Sequence, residues 1–208
     1  MSGFEGSIVT SVEGLAKLYA QPLERVVKFK LDHVNAAGCA FIAASPFLVL
    51  ATGNQQGLDC SPKGDQPGFV KVTDEGRMLL IPDRRGNNKI DSLKNLIEDP
   101  RIALIFFVPG ANESYRVNGR ARISVDADLK QRFAVNGKEP VTVMLVMVEE
   151  AFHHCPKALV SSDLWKAGSG ARPRGVPTMG YFAAARYPET DSAAFDIAYS
   201  QRIPNELY

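Results

Sequence analysis

The 208-residue sequence is poor in the residue types that usually announce a function. It holds three cysteines, three histidines and one tryptophan. Cys39, Cys60 and Cys155 are scattered, with no Cys-x-x-Cys and no paired spacing of the kind a structural zinc requires. A reduced, cytoplasmic protein is therefore the expectation. Charge of one sign is lacking too: the net charge is +1, so no global field points to nucleic acid or an anionic membrane. No apolar run approaches the roughly 20 residues of a membrane-spanning helix, because charges, Gly or Pro interrupt each one. The opening MSGFEGSIVTSVEGL lacks a basic stretch followed by a long apolar one, so a secretory leader is not expected. There is no internal repeat, no P-loop and no GxGxxG following a strand.

Clusters that look reactive weaken on inspection. His153-His154-Cys155 places two histidines side by side, and neighbours on a strand point to opposite faces. No carboxylate or further His stands at ligand spacing, so no metal centre is expected. Nothing marks Cys155 as an activated thiol. Glu149 and Glu150 are adjacent, and a strand would send them to opposite faces as well. The sequence offers no built-in nucleophile, which suits a protein whose cofactor brings its own reactivity.

What is present begins with a core: 45% of residues are hydrophobic. Thr10-Ser11-Val12-Glu13 has capping-box spacing and predicts a helix through Leu15, Leu18 and Tyr19. Pro22 can open a second helix carrying Leu23, Val26, Val27, Leu31 and Val34, with His33 in it, ending near Gly38. From Ser45 the pattern changes to strands. PFLVLATG reads as a buried strand, residues 53–57 as a turn and LDCSPKGD as the returning strand. Pro62 makes that strand an edge or a bulge. A second hairpin pairs PGFVKV with RMLLIP around Asp74-Glu75-Gly76. RIALIFFVPG is a long buried strand. SYRVNGRARISV puts Tyr115, Val117, Gly119, Ala121 and Ile123 on one face, and Arg116, Asn118, Arg120 and Arg122 on the other. A short helix over 126–136, the strand PVTVMLVMVEEAF, and a short helix or turn in HHCPKALVSSDLW follow. From Lys166 to Tyr208 the composition predicts an irregular arm with at most a short helix. About six strands, mostly joined by hairpins, suggest a small antiparallel barrel with flanking helices, whose closure removes sheet edges. The division expected is helices over 1–44, barrel over 45–165 and an arm over 166–208, all within one domain.

The stretch most suggestive of chemistry is LLIPDRRGNNKIDSLKNLI, residues 79–97. An apolar strand breaks into a basic loop, and helical spacing resumes at Ile90, Leu93, Leu96 and Ile97. Arg84, Arg85, Lys89 and two asparagines at the start of a helix form a natural anion site, because the dipole and the free N–H groups both favour a phosphate there. Ser61-Pro62-Lys63-Gly64-Asp65 and the face holding Arg116, Asn118 and Arg120 are further basic features. Outward solvation suffices to explain Arg120 and Arg122.

Taken together, SPFLVLATG, GLDCSPKGD, LLIPDRRGNNKIDSLKNLIEDPRIALIFFVPG, YRVNGRARI and HCPKAL with a following LW occur in an order that resembles the pyridoxamine 5′-phosphate oxidase-like flavin proteins. The subgroup it is most similar to is described as FMN-dependent and carries SPRGD, PDRxGN and HCxKA patterns. The resemblance covers residues 45–165 and implies a mainly β fold, the FMN-binding split β-barrel, working as a homodimer with FMN in clefts between subunits and a small-molecule substrate. It implies that Ser61, Pro62 and Lys63 line the flavin, and that Ile81, Pro82 and Asp83 contact its ring. Arg84, Asn88 and Lys89 would bind ribityl and phosphate. Lys157 and Trp165 would approach from the partner, with Arg116 and Asn118 near the cleft. The implied activity is electron transfer between a small substrate and FMN. A non-catalytic flavin- or haem-binding protein and an F420-dependent reductase are the alternatives on related barrels. Four departures from the family pattern stand out. Lys63 replaces an Arg, Ser161 replaces another, Asn88-Lys89 stands where the oxidase proper carries an Arg-Lys pair, and the tail lacks the Arg-x-His element with which the oxidase proper holds its substrate phosphate. FMN binding carries over from the resemblance; vitamin B6 specificity does not.

Overall fold

The computed structural model describes residues 7–73, 75–166 and 172–206. Asp74 of the second hairpin and parts of the C-terminal arm lie outside them. Seven strands form one antiparallel sheet: β1 (Phe47–Asn54), β2 (Gly57–Gly64), β3 (Lys71–Val72), β4 (Met78–Asp83), β5 (Arg101–Phe107), β6 (Ser114–Ser124) and β7 (Thr142–His154). Their order is β2-β1-β5-β6-β7-β4-β3. The expected barrel is therefore split. The sheet does not close, β2 and β3 are its edges, and the two-residue β3 brings the strand number to seven rather than about six. Pro62 sits on the edge strand β2, where its missing N–H costs no ladder bond.

Alternation decides which side chains fill the interior. Leu48 and Leu50 of β1, Leu104 and Phe106 of β5, Val117 of β6, Val146 of β7 and Leu79 and Ile81 of β4 are almost wholly buried. Each such side chain contributes about 1.5–3 kcal/mol by leaving water. Tyr115, Val117, Gly119 and Ala121 are buried, while Arg120 and Arg122 are exposed, as the alternation in the sequence predicts. The register shifts between Asn118 and Gly119, a bulge that lets the long β6 bend against β7.

Helix α1 (Val12–Ala16) is capped by Ser11, whose Oγ accepts from the Gly14 N–H at 3.0 Å; the expected Thr10 is one residue too early. The expected second helix shrinks to one turn, α2 (Glu24–Val27). Leu31 instead exchanges backbone hydrogen bonds with Ala151, and Val34 donates to the Gly76 carbonyl at 2.9 Å, so pairing with the sheet outweighs apolar periodicity there. His33 thus lies outside any helix. Gly38 does not end a helix but sits inside α3 (Ala36–Ala44), capped by Asn35, where a Cβ would meet the Tyr115 hydroxyl at 2.3 Å. Helices α4 (Asp91–Glu98), α5 (Ala127–Gln131) and α6 (Lys157–Ser161) fall where the sequence predicts. The C-terminal arm is more ordered than expected. It carries α7 (Met179–Arg186) and α8 (Ser192–Glu206), which pack on each other; the Gly180 N–H donates to Asp196 Oδ1 at 2.7 Å. Its Gly and Pro residues lower the average propensity, yet most of them precede α7; only Gly180 and Pro204 fall inside the two helices, and neither interrupts Ala183–Ala185 or Ala193–Ala194.

Candidate functional site

A cavity of about 490 Å³ opens on the split side of the barrel, between β2, the end of β4 and the loop over residues 84–90 that leads into α4. Its position follows from the topology: β2 and β4 stand toward opposite ends of the sheet, and nothing in the ladder joins them. β3 pairs only with Leu79 and Leu80, so past Leu80 that edge of β4 has no strand neighbour. The backbone at Ile81–Asp83 therefore borders the opening, while the Ile81 side chain is fully buried in the core.

One wall comes from β2. Because side chains alternate, Asp59, Ser61 and Lys63 share the face that carries Leu48 and Leu50 on β1. Asp59 Oδ2 accepts from Ser61 Oγ at 2.9 Å and also from Ser92 Oγ in the first turn of α4. Nearby, Asn95 of α4 donates to Thr52 Oγ1 at 3.1 Å, tying the helix to β1. The Lys63 ammonium pairs with the Asp83 carboxylate across the split.

The opposite rim is the loop. Asn88 has φ 58° and Ile90 has φ 24°. For a β-branched residue such as Ile90 a positive φ is a strained conformation, of the kind that persists where surrounding structure enforces it. Ile90 occupies the N-cap of α4 and supplies no side-chain cap to the helix N-terminus. Lys89 Nζ lies 3.1 Å from Asp91 Oδ2, and Lys94 Nζ 3.5 Å from Asp91 Oδ1. The hydrogen bond from Lys89, ahead of the charges around it, holds the Asp91 carboxyl below the usual carboxylate range. Arg84 lines the cavity with its guanidinium tied to the protein. Its Nε donates to Asp65 Oδ2 at 2.9 Å and its Nη2 to the Phe133 carbonyl at 2.9 Å, with both charged side chains only 8% exposed. Arg85 is exposed, and among the described residues it makes no ion pair. It also lines a second cavity of about 180 Å³ that shares Pro62, Lys63 and Arg84 with the first. Thr142 Oγ1 at the edge of the larger cavity is buried with no hydrogen-bond partner among the described residues.

Of the residues expected at a site, Ser61, Pro62, Lys63, Asp83, Arg84, Asn88 and Lys89 line this cavity together, and Pro82 lines the smaller one beside it. Arg116, Asn118, Lys157 and Trp165 line neither. Arg116 and Asn118 project from the outer face of β6. Arg116 Nη1 is 3.2 Å from His154 Nε2 and its guanidinium lies over the Phe152 ring, while Asn118 donates to Glu150. Burial first, then the Arg116 charge, keeps the His154 imidazolium pKa below its ordinary value. Lys157 opens α6, and Trp165 Nε1 donates to the Ala111 carbonyl at 2.7 Å. Asp59, Ser92 and Thr142 also line the cavity and are not among the residues the sequence pattern singles out. The period-two spacing of Asp59, Ser61 and Lys63 could have revealed the first; Ser92 and Thr142 come from distant segments that only folding brings together.

Comparison with known proteins follows the same stretch. Residues 35–155 match the family model described as pyridoxamine 5′-phosphate oxidase. No curated protein matches. Among solved structures, the chain is similar to a variant of HupZ from Group A Streptococcus, at 18% identity over 58% of this chain and 99% of that one, with a TM-score of 0.47. A protein from Lactobacillus delbrueckii, provisionally named a pyridoxamine 5′-phosphate oxidase, matches at 18% identity over 59% of this chain and 95% of that one, with a TM-score of 0.46. The FAD binding protein from Mycobacterium smegmatis matches at 16% identity over 60% and 97% of the two chains, with a TM-score of 0.41.

Proposed function

The chain belongs to the pyridoxamine 5′-phosphate oxidase family, and on that footing we propose that it is an FMN-dependent oxidoreductase acting on a small molecule. The observation that carries this reading is the pairing of two chemistries across one cavity. The rim presents Arg85, Lys89, Asn88 and the N-terminus of α4, which suit a phosphate. The wall presents Asp59, Ser61 and Ser92, which suit the hydroxyls of a polyol chain. A ribityl phosphate carries both. The volume falls in the range of cofactor pockets. The orphaned Thr142 Oγ1 and the strand-free edge of β4 add hydrogen-bonding groups that a flavin ring edge would satisfy.

In this reading Arg85, Asn88 and Lys89 hold the phosphate, and Ser61 orients the ribityl chain behind it. Pro62, Lys63 and Ile81–Asp83 border the ring, with Arg84 fixing the loop from behind through Asp65. When bound, a flavin supplies the electron transfer itself, so the chain needs no nucleophile of its own.

The proposal includes a homodimer. β1 and β5 are apolar on both faces, and the outward residues Phe47, Val49, Ile105 and Phe107 remain partly exposed in the single chain. Strands of that kind belong between two covering layers. A partner copy would supply one, and would bring its Arg116, Asn118, Lys157 and Trp165 to the cleft, with the C-terminal arm wrapping it. A cytoplasmic setting suits the three free cysteines.

An absorbance spectrum of the freshly purified protein tests the reading. Flavin bands that survive dialysis, with FMN identified after denaturation, are the expected result. A colourless protein that fails to bind added FMN overturns it. Light scattering after size exclusion reads the dimer separately.

A further inference from the structure

Resting on the flavin reading above, we infer that Arg85 is the residue by which this chain distinguishes a phosphorylated flavin from an unphosphorylated one. The cations around the cavity are unequally committed to partners. Lys63, Arg84, Arg85 and Lys89 line it. Lys63 is paired with Asp83, Arg84 with Asp65 and the Phe133 carbonyl, and Lys89 with Asp91. A phosphate approaching any of these three competes with a carboxylate already in place, so the gain is only the difference between two anionic partners. Arg85 makes no ion pair among the described residues. Its guanidinium exchanges water alone for the ligand, and its planar fork matches two phosphate oxygens at once.

Position supports the same conclusion. Arg85 stands where the larger cavity and the 180 Å³ cavity share a wall. On the far side, Asp59 is fixed by Ser61 and Ser92, and its negative charge disfavours a phosphate there. The anionic end of a ligand is thereby driven toward the loop. Arg85 occupies the unspecified position of the PDRxGN pattern, so the discrimination belongs to this sequence and not to the pattern.

Titration of the full-length protein with FMN and with riboflavin, followed by flavin fluorescence, tests the inference. In Arg85→Gln the Kd for FMN rises roughly tenfold, the scale of one charge-assisted hydrogen bond, while the Kd for riboflavin stays at the wild-type value. Arg85→Lys recovers part of the FMN affinity, because the charge returns without the fork. Arg122→Gln, exposed on β6 and lining neither cavity, removes the same charge and leaves the FMN-to-riboflavin ratio unchanged. An unaltered ratio in Arg85→Gln, with wild-type protein binding FMN, overturns the inference and leaves the flavin reading standing. Equal loss of both ligands also overturns it. Wild-type protein that binds neither ligand overturns the flavin reading and the inference with it.

Discussion

Lys63 and Asp83 form an ion pair between strands that the sheet itself keeps apart. Lys63 lies on the edge strand β2 and Asp83 at the end of β4, with four strands between them in the ladder order. Their side chains are largely buried, 25% and 10% exposed. The pair is a side-chain strut across the opening where a closed barrel would have backbone hydrogen bonds.

Removing one member of this strut leaves the other charge poorly solvated. Lys63→Met is expected to lower unfolding free energy by about 2 kcal/mol. Because the two groups touch, Lys63→Met and Asp83→Asn should be non-additive by about 1 kcal/mol in a double-mutant cycle read by urea denaturation. Simple additivity would show that the strut carries no net coupling.

Arg84 is the most enclosed cation of the site, and its partners give it a structural task. Arg84→Ala strands Asp65 in a nearly water-free position, and a loss of roughly 3 kcal/mol follows from an unpaired buried carboxylate. Arg84→Lys keeps the charge but cannot reach Asp65 and the Phe133 carbonyl from one planar group, so it should recover only part of the loss. If Arg84 served the ligand alone, its removal would weaken FMN binding and leave the urea midpoint where it was.

Gly119 is required by close approach. A Cβ there would lie 2.0 Å from the Met147 carbonyl oxygen, at the bulge where β6 changes register against β7. A backbone oxygen cannot swing aside as a side chain can, so Gly119→Ala should cost about 3 kcal/mol, at the upper end of overpacking effects. Gly86, in the loop, has open space around its Cβ position. Gly86→Ala should stay within about 0.5 kcal/mol. Thermal melts of the two variants compare them directly.

Acid should loosen the turn before β5. Hydrogen bonds from the Arg101 side chain, and then from its backbone N–H, hold the Asp99 carboxyl at about 2, against an ordinary 3.8. A pKa lowered in the folded state means stabilisation that is fully present above 3.8 and lost as pH falls toward about 2. The slope of stability with pH across that window should be shallower in Asp99→Asn than in the wild type. Urea titrations at several pH values between 4 and 2 measure it, and equal slopes would refute the assignment.

Much of this architecture is local and therefore legible in the chain. Alternation in β6 gives its buried and exposed faces, Pro62 marks an edge strand, and the change from strand to helical spacing across residues 79–97 locates the loop and α4. These signals depend on neighbours two to four residues apart, which is the range over which backbone geometry fixes side-chain direction. The order of motifs along the chain was enough to point to the family. Folding alone decided what spans longer distances. Leu31 and Val34 gave up helical periodicity because carbonyls of Ala151 and Gly76, far along the chain, offered their N–H groups partners. Arg84 and Arg85 are adjacent and alike in sequence. Asp65 and Phe133 capture the first and leave the second to the cavity, and no local pattern encodes that choice. The split itself is of the same kind: an open sheet and a closed one share the same strand patterns, and only the distance between β2 and β4, bridged by Lys63 and Asp83, makes the opening in which a ligand can sit.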